Sequence, residues 1–171
     1  MAEKKEFSVW DPAIAVPFIK SNEGCRLTSY RDPAGVWTVG YGSTRLASGN
    51  PVIRNIKITQ EEADELLESE LYRLRDVLSR SVRVAVTQGQ FIALLDFAYN
   101  CGAGALCRST LLKLFNAGKV INAGYEFKRW ARAGGRELPG LVRRREAEKE
   151  LFERLKIDCV AALKDGKNVI G

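Results

Sequence analysis

The chain of 171 residues contains no histidine, and that absence removes more chemistry than any other feature of its composition. Ser-His-Asp and Cys-His catalysis both need an imidazole base, and catalytic zinc is ordinarily held through imidazole nitrogens. Zinc peptidases and zinc amidases are thereby set aside, no metal or other cofactor is expected, and carboxylate chemistry remains. Cysteine is sparse: Cys25, Cys101, Cys107 and Cys159 occur without a C-x-x-C pair, so a thiolate metal site is not expected. No run of ~18 apolar residues occurs, so no stable membrane insertion is expected. The opening Met1-Ala2-Glu3-Lys4-Lys5-Glu6 lacks the apolar core of a signal peptide, which points to synthesis in a reducing cytoplasm with free thiols. A buried free cysteine behaves as a small hydrophobe. Cys101 with Cys107 is the one defensible disulfide, because Gly102 and Gly104 allow a tight loop. Repeats and low-complexity tracts are also absent.

What remains is an ordinary globular composition, 46% hydrophobic and 28% charged, in a length that suits one domain, 1–171, or two closely packed lobes. The net charge of +6 comes from 27 basic and 21 acidic residues. Such an excess favours anionic partners: nucleic acid, an acidic membrane surface, or a cell wall bearing peptide carboxylates. The basic residues are scattered except for Arg143-Arg144-Arg145, and no helix-turn-helix, zinc finger or aromatic RNA platform is visible, so nucleic acid is not the expected partner.

Residues 1–10 read as loose and charged, with Trp10 the first candidate anchor. Asp11-Pro12 is a helix start signal; Pro17 either kinks that helix or shows that it begins later. Residues 44–58, with Gly49-Asn50-Pro51, read as a loop or second hairpin completing a small sheet. Thr59 followed by Glu62 is a capping box in form. It opens a helix to about Ser79 with Ala63, Leu66, Leu67, Leu71, Leu74 and Leu78 on one face. Phe91, Leu94, Leu95, Ala98 and Tyr99 recur at helical spacing, ending at Asn100-Cys101-Gly102. Ser109 or Thr110 caps a short helix through Phe115, and another spans Ile121 to Trp130 before a Gly134-Gly135 turn. A charged helix is expected from about Leu141 to Leu163, including an attractive Glu150–Arg154 pair.

The chemically suggestive stretch is Glu23 to Gly42. Glu23 ends an apolar helical segment, and Gly24 after it suits a left-handed C′ position. Tyr30 to Pro33 reads as a turn carrying Asp32, and Val36 to Tyr41 as a strand bounded by glycines. An acid at an apolar helix end and an acid on a polar turn suit glycoside hydrolysis. One carboxyl must donate a proton to the departing oxygen while the other stays ionised. Spacing alone leaves the bland alternative, two ordinary surface acids, fully open.

The residues themselves are more specific. The pattern E-G-x-R-L-x-x-Y-x-D-x-x-G-V-W-T-V-G-Y-G, with Glu23, Asp32 and Thr38 in order, resembles the signature of phage-type lysozymes, the T-even phage lysozyme family (glycoside hydrolase family 24). The lambdoid endolysin branch is the most similar. The resemblance resumes in Phe97-Ala98-Tyr99-Asn100-Cys101-Gly102, Ser109-Thr110-Leu111-Leu112, Arg129-Trp130 and Leu138-Pro139-Gly140-Leu141-Val142-Arg143-Arg144-Arg145-Glu146, and covers roughly residues 13–155. It implies an α+β fold, mainly α. The small α/β lobe would hold the catalytic residues at about 13–58, a connecting helix would span 59–80, and a helical lobe 81–171.

The same resemblance implies hydrolysis of the β-1,4 bond between N-acetylmuramic acid and N-acetylglucosamine in bacterial peptidoglycan. Glu23 would be the general acid, Asp32 the base or transition-state stabiliser, and Thr38 the residue that helps place the water. An inverting outcome would need the two carboxyls roughly 6.5–9.5 Å apart. Tyr99 and Asn100 match a saccharide-lining segment; alternatively Tyr99 is core and Asn100 a helix cap. Arg144 is the candidate to sit near the acid pair, binding substrate or keeping Asp32 ionised. Trp130 reads as core. Ser43 stands where T-even-type lysozymes carry a structural histidine, a departure that bears on stability and not on the acid pair. A monomer is expected, accumulating in the host cytoplasm and acting on the wall in the periplasm after release through a separate holin. The alternative from another class is a non-catalytic wall-binding or virion structural protein on the same fold.

Overall fold

The computed structural model describes residues 2–154. The chain opens with a two-residue strand, β1 (Lys4–Lys5), and a 3₁₀ turn at Phe7–Val9. A second 3₁₀ turn, Pro12–Ala15, is capped by the Asp11 side chain, which accepts from the Ala13 N–H at 2.9 Å. The first α-helix, α1, then runs Val16–Asn22. Of the two readings of Pro17, the later start is the one observed: the proline lies in the first turn, where its missing N–H leaves no intrahelical bond unmade.

Glu23 is the C-cap of α1, with φ −109° and ψ 135°, and its N–H still reaches the Ile19 carbonyl at 2.9 Å. The expected left-handed Gly24 is corrected here. Gly24 does not adopt positive φ, because the chain turns extended already at Glu23 and runs straight into β2 (Arg26–Arg31). β2 pairs antiparallel with β3 (Trp37–Gly40) through Tyr30↔Thr38 and Arg31↔Trp37, with an irregularity toward Arg26↔Gly40. Tyr30 and Arg31 are thus strand residues, and the turn begins two residues later than expected, at Asp32. The 44–58 segment completes the small sheet as expected. Ser29 and Ile58 N–H groups bond to Ile56 and Leu27 carbonyls, and Arg45 bridges Pro51.

The long helix α2 (Gln60–Leu78) begins with the capping box foreseen from sequence, Thr59 and Glu62 each satisfying the other's backbone N–H. Ala63, Leu67, Leu71, Leu74 and Leu78 are buried, whereas Leu66 turns toward the cleft. β4 (Val86–Thr87) follows and pairs with β1. Residues 4–10 are therefore docked, not loose. Phe7 is buried against Phe91, with ring centroids 4.8 Å apart, and the Trp10 indole N–H donates to the Val86 carbonyl at 3.1 Å. Two aromatic anchors outweigh the charge of their neighbours.

A second capping box, Thr87 with Gln90, opens α3 (Gln88–Cys101), whose residues 89–98 are all buried. It is the spine of the helical part. Around it come α4 (Ala103–Arg108), α5 (Thr110–Asn116), α6 (Val120–Glu126) continued as a 3₁₀ turn to Trp130, a hairpin of β5 (Arg132–Ala133) and β6 (Arg136–Glu137), and α7 (Pro139–Glu153). Ser109 caps α5 by accepting from the Leu112 N–H at 3.0 Å. Phe97, Phe127, Phe152, Phe115 and Trp130 stack edge to face between α3, α5 and α7. The Glu150–Arg154 pair closes at 3.1 Å. The expected continuation of the last helix to Leu163, and Cys159, lie outside the described residues. Cys25, Cys101 and Cys107 are free thiols, so the Cys101–Cys107 bridge is not formed. Among the described residues no helix is long and apolar enough to cross a membrane.

Candidate active site

Between the small sheet and the helical part lies a cleft of about 1030 Å³, lined among others by Glu23, Asp32, Tyr41, Glu70, Tyr99 and Asn100. Each reaches it for a local reason. Glu23 is carried there by the abrupt end of α1. Asp32 sits at the tip of the β2–β3 hairpin, where its backbone bonds with Val36 and its Oδ1 accepts from the Val36 N–H at 2.8 Å. One oxygen of Asp32 thus builds the turn and the other is left to the cleft. Glu70 comes from α2, forked by Arg73 at 2.6 and 2.9 Å.

Thr38 lies behind this wall. It is only 3% exposed, and its hydroxyl donates to the Val36 carbonyl at 3.0 Å, which leaves the oxygen lone pairs as acceptors. Tyr99 and Asn100 both line the cleft. The Tyr99 hydroxyl is already committed, donating to the Tyr41 carbonyl. Burial, with the nearby Glu23 charge, raises it well above the ordinary phenol range. What Tyr99 offers a ligand is its ring. Asn100 is not the helix cap, since α3 continues to Cys101 and caps at Gly102. Its carbonyl oxygen accepts from Arg145 Nη2 at 2.8 Å, which orients the amide.

Arg144 stands beside the acid pair as expected, on its Glu23 side. It neither lines the cleft nor contacts Asp32; it is 6% exposed and stands behind Glu23. Its Nη1 donates to Glu23 Oε1 at 2.6 Å, while Nε and Nη2 fork onto Asp96 at 2.9 and 2.8 Å. The reason is reach: α7 packs along α3, so a side chain on its inner face meets α3 and the end of α1, not the hairpin tip. Burial works to lower Arg144, but the Asp96 and Glu23 carboxylates outweigh it and hold the guanidinium charged.

Two acids of this cluster were not foreseen. Asp96 and Glu148 are both fully buried. Glu148 Oε1 accepts from Arg145 Nη2 at 2.9 Å, and its Oε2 lies 2.8 Å from Arg145 Nε without an aligned hydrogen bond. Burial and the neighbouring Asp96 carboxyl push Glu148 up to about 11, against the pull of Arg145 and Arg144. Arg145 also stacks over Phe97 at 5.0 Å and donates to the Cys101 sulfur at 2.7 Å. Burial raises that thiol despite Arg145, so it stays protonated. The sequence did carry a signal: an aspartate inside Leu94-Leu95-Asp96-Phe97, and a glutamate four residues after Arg144. A charge placed where helical spacing demands burial needs a partner.

The arrangement is a saccharide-sized groove with a carboxyl held by one guanidinium proton at one wall and a second carboxyl on a hairpin tip. The phage lysozyme family model matches residues 20–148. An endolysin of Acyrthosiphon pisum secondary endosymbiont phage 1 is 41% identical over 139 residues, covering 79% of this chain and 92% of that protein. Among solved structures, a mutant of P22 lysozyme is 35% identical with a TM-score of 0.71, over 81% of this chain and 94% of that one. The muramidase domain of SpmX from Asticaccaulis excentricus is 34% identical with a TM-score of 0.72, over 82% and 95%.

Proposed function

The chain belongs to the phage lysozyme family, and from that premise we propose that Glu23 and Asp32 are the carboxyl pair with which it cuts its substrate. It is a glycoside hydrolase, an endolysin-type lysozyme hydrolysing the β-1,4 bond between N-acetylmuramic acid and N-acetylglucosamine of bacterial peptidoglycan. In the proposed mechanism Glu23 gives its proton to the glycosidic oxygen as the bond to the anomeric carbon breaks. The Asp32 carboxylate, on the hairpin turn, accepts a proton from the incoming water or stabilises the positive charge that develops on the sugar. Water adds across the bond, leaving a new reducing end and a free hydroxyl.

Thr38, with its hydroxyl proton committed to Val36, would help hold the water by offering an acceptor oxygen. The Tyr99 ring and the oriented Asn100 amide suit a sugar face and an N-acetyl group. Arg144 acts through Glu23 and not on the sugar. The observation that carries the assignment is the shared cleft: the one carboxyl that Arg144 presents from behind opens into the same groove as the hairpin acid.

The test is digestion of purified peptidoglycan with mass analysis of the fragments. The reading requires disaccharide-peptides with reducing N-acetylmuramic acid ends from the native protein. Products with other ends, or binding without cutting, would defeat it. We further propose release from the cytoplasm through a separately encoded holin, and action as a monomer. Lysis of cells expressing this protein without any permeabilising partner would refute the first, and a dimer in sedimentation the second.

A further inference from the structure

The buried cluster behind Glu23 contains three carboxyls, Glu23, Asp96 and Glu148, and two guanidiniums, Arg144 and Arg145. Glu23 is the sole member with appreciable exposure, 22% of its side chain, whereas Asp96 is wholly enclosed. Arg144 joins them: two of its nitrogens are fixed in a fork by Asp96, and the third is the one that meets Glu23. A forked arginine–carboxylate pair is both geometrically rigid and electrically near neutral.

We propose that Asp96 is a positioning residue for the hydrolytic reaction. By gripping Arg144 through Nε and Nη2, it presents Nη1 alone to Glu23 and draws off much of the guanidinium charge, so that Glu23 can still hold the proton it must donate. This rests on the reading of Glu23 as general acid. Without Asp96, Arg144 would face Glu23 as an undivided, desolvated cation, and the carboxylate form of Glu23 would be favoured. The other groups around the pair come from every packed element: Tyr99 and Cys101 on α3, Arg145 and Glu148 on α7, Tyr30 on β2, Asp32 on the hairpin, and Glu70 with Arg73 on α2. Among the described residues only Asp96 makes two aligned hydrogen bonds to Arg144.

The experiment is the pH profile of peptidoglycan cleavage for wild type, Asp96→Asn, and the double variant Asp96→Asn with Arg144→Gln, each checked for folding by circular dichroism. In Asp96→Asn the alkaline limb of the profile should move to lower pH by about one unit or more, with activity recovering toward wild type on the acid side. In the double variant the cation is gone as well, and the limb should move the other way, above wild type. Opposite shifts from one site cannot come from general loosening, which lowers the rate at every pH. A limb that stays in place in both variants, or activity lost in equal proportion across pH, overturns the proposal. So does failure of both variants to fold, which would make Asp96 a charge of the core alone. If wild type itself cuts nothing, the lysozyme reading has failed, an outcome separate from all of these.

Discussion

Glu23 and Arg144, 121 residues apart in sequence, meet through a single 2.6 Å hydrogen bond from Nη1 to Oε1. The bond holds one Glu23 oxygen toward the protein and leaves the other for the cleft. An acid at the ragged end of a seven-residue helix would otherwise sample many rotamers. The helical part of the molecule therefore supplies the orientation that the small sheet cannot.

If Glu23 is the proton donor, Glu23→Gln keeps the shape and the hydrogen bond from Arg144 but removes the proton. Cleavage of purified peptidoglycan should fall by about 10²- to 10⁴-fold while circular dichroism and affinity for the wall stay near wild type. Retention of a tenth or more of the wild-type rate would sink the acid role.

Asp32 serves two purposes that substitution can separate. Its Oδ1 closes the hairpin turn on the Val36 N–H, 2.8 Å away, and its charge is the proposed second carboxylate. Asp32→Asn should keep the turn and the melting temperature yet lose most activity. Asp32→Ala should lose activity and also about 1 kcal/mol of stability, the typical worth of one hydrogen bond. Equal melting temperatures for the two variants would show that the turn does not depend on this side chain.

Glu148 makes stability depend on pH in a definite direction. Its ordinary value is 4.5, and in the folded state burial and Asp96 push it up to about 11. Between those limits the folded chain holds a proton that the unfolded chain has released, so stability is greatest below the window and declines as pH rises through it. The slope from this one group is roughly 1 to 1.5 kcal/mol per pH unit. Glu148→Gln replaces the neutral acid by a neutral amide of the same shape. Urea unfolding at several pH values should show the wild-type decline flattened by about that slope in the variant. A loss of about 3 to 5 kcal/mol that is the same at every pH would instead mean an ionised Glu148 torn from Arg145.

Local rules accounted for much of this fold because the relevant interactions are close in sequence. Thr59 with Glu62 sits within one turn, and the buried stripe of α2 repeats at helical spacing. The proposed pair, Glu23 and Asp32, was suggested by the residue pattern from Glu23 to Thr38 and not by spacing, and both acids line one cleft. The docking of residues 4–10 was not, since Phe7 finds Phe91 and Lys5 finds Val86 only after α3 is in place. The contacts of Arg144 were not either. Its number along α7 tells which face it occupies, but whether that face meets Glu23 or Asp32 depends on how α7 lies across α3. Asp96 and Glu148 show where sequence reading can gain: each is an acid at a helix position whose neighbours are core.

The approach of α7 to α3 is itself open to test, because it is set at Gly89. A Cβ added there would fall well inside contact distance of the Leu151 carbonyl oxygen, and the backbone on both sides is helical. Neither partner is a flexible side chain that could swing away. Gly89→Ala would normally stabilise a helix by about 1 kcal/mol, yet here α7 must back off from α3, and overpacking of this kind costs typically 1 to 3 kcal/mol. The expected result is a net loss of stability, seen as a lower urea midpoint with an unchanged slope. Because Arg144 rides on α7, cleavage should suffer as well, more in kcat than in KM, since the groove is lined chiefly by other elements. A variant as stable as wild type would mean that the two helices are free to separate, and then Arg144 could not hold Glu23 as tightly as its 2.6 Å bond implies.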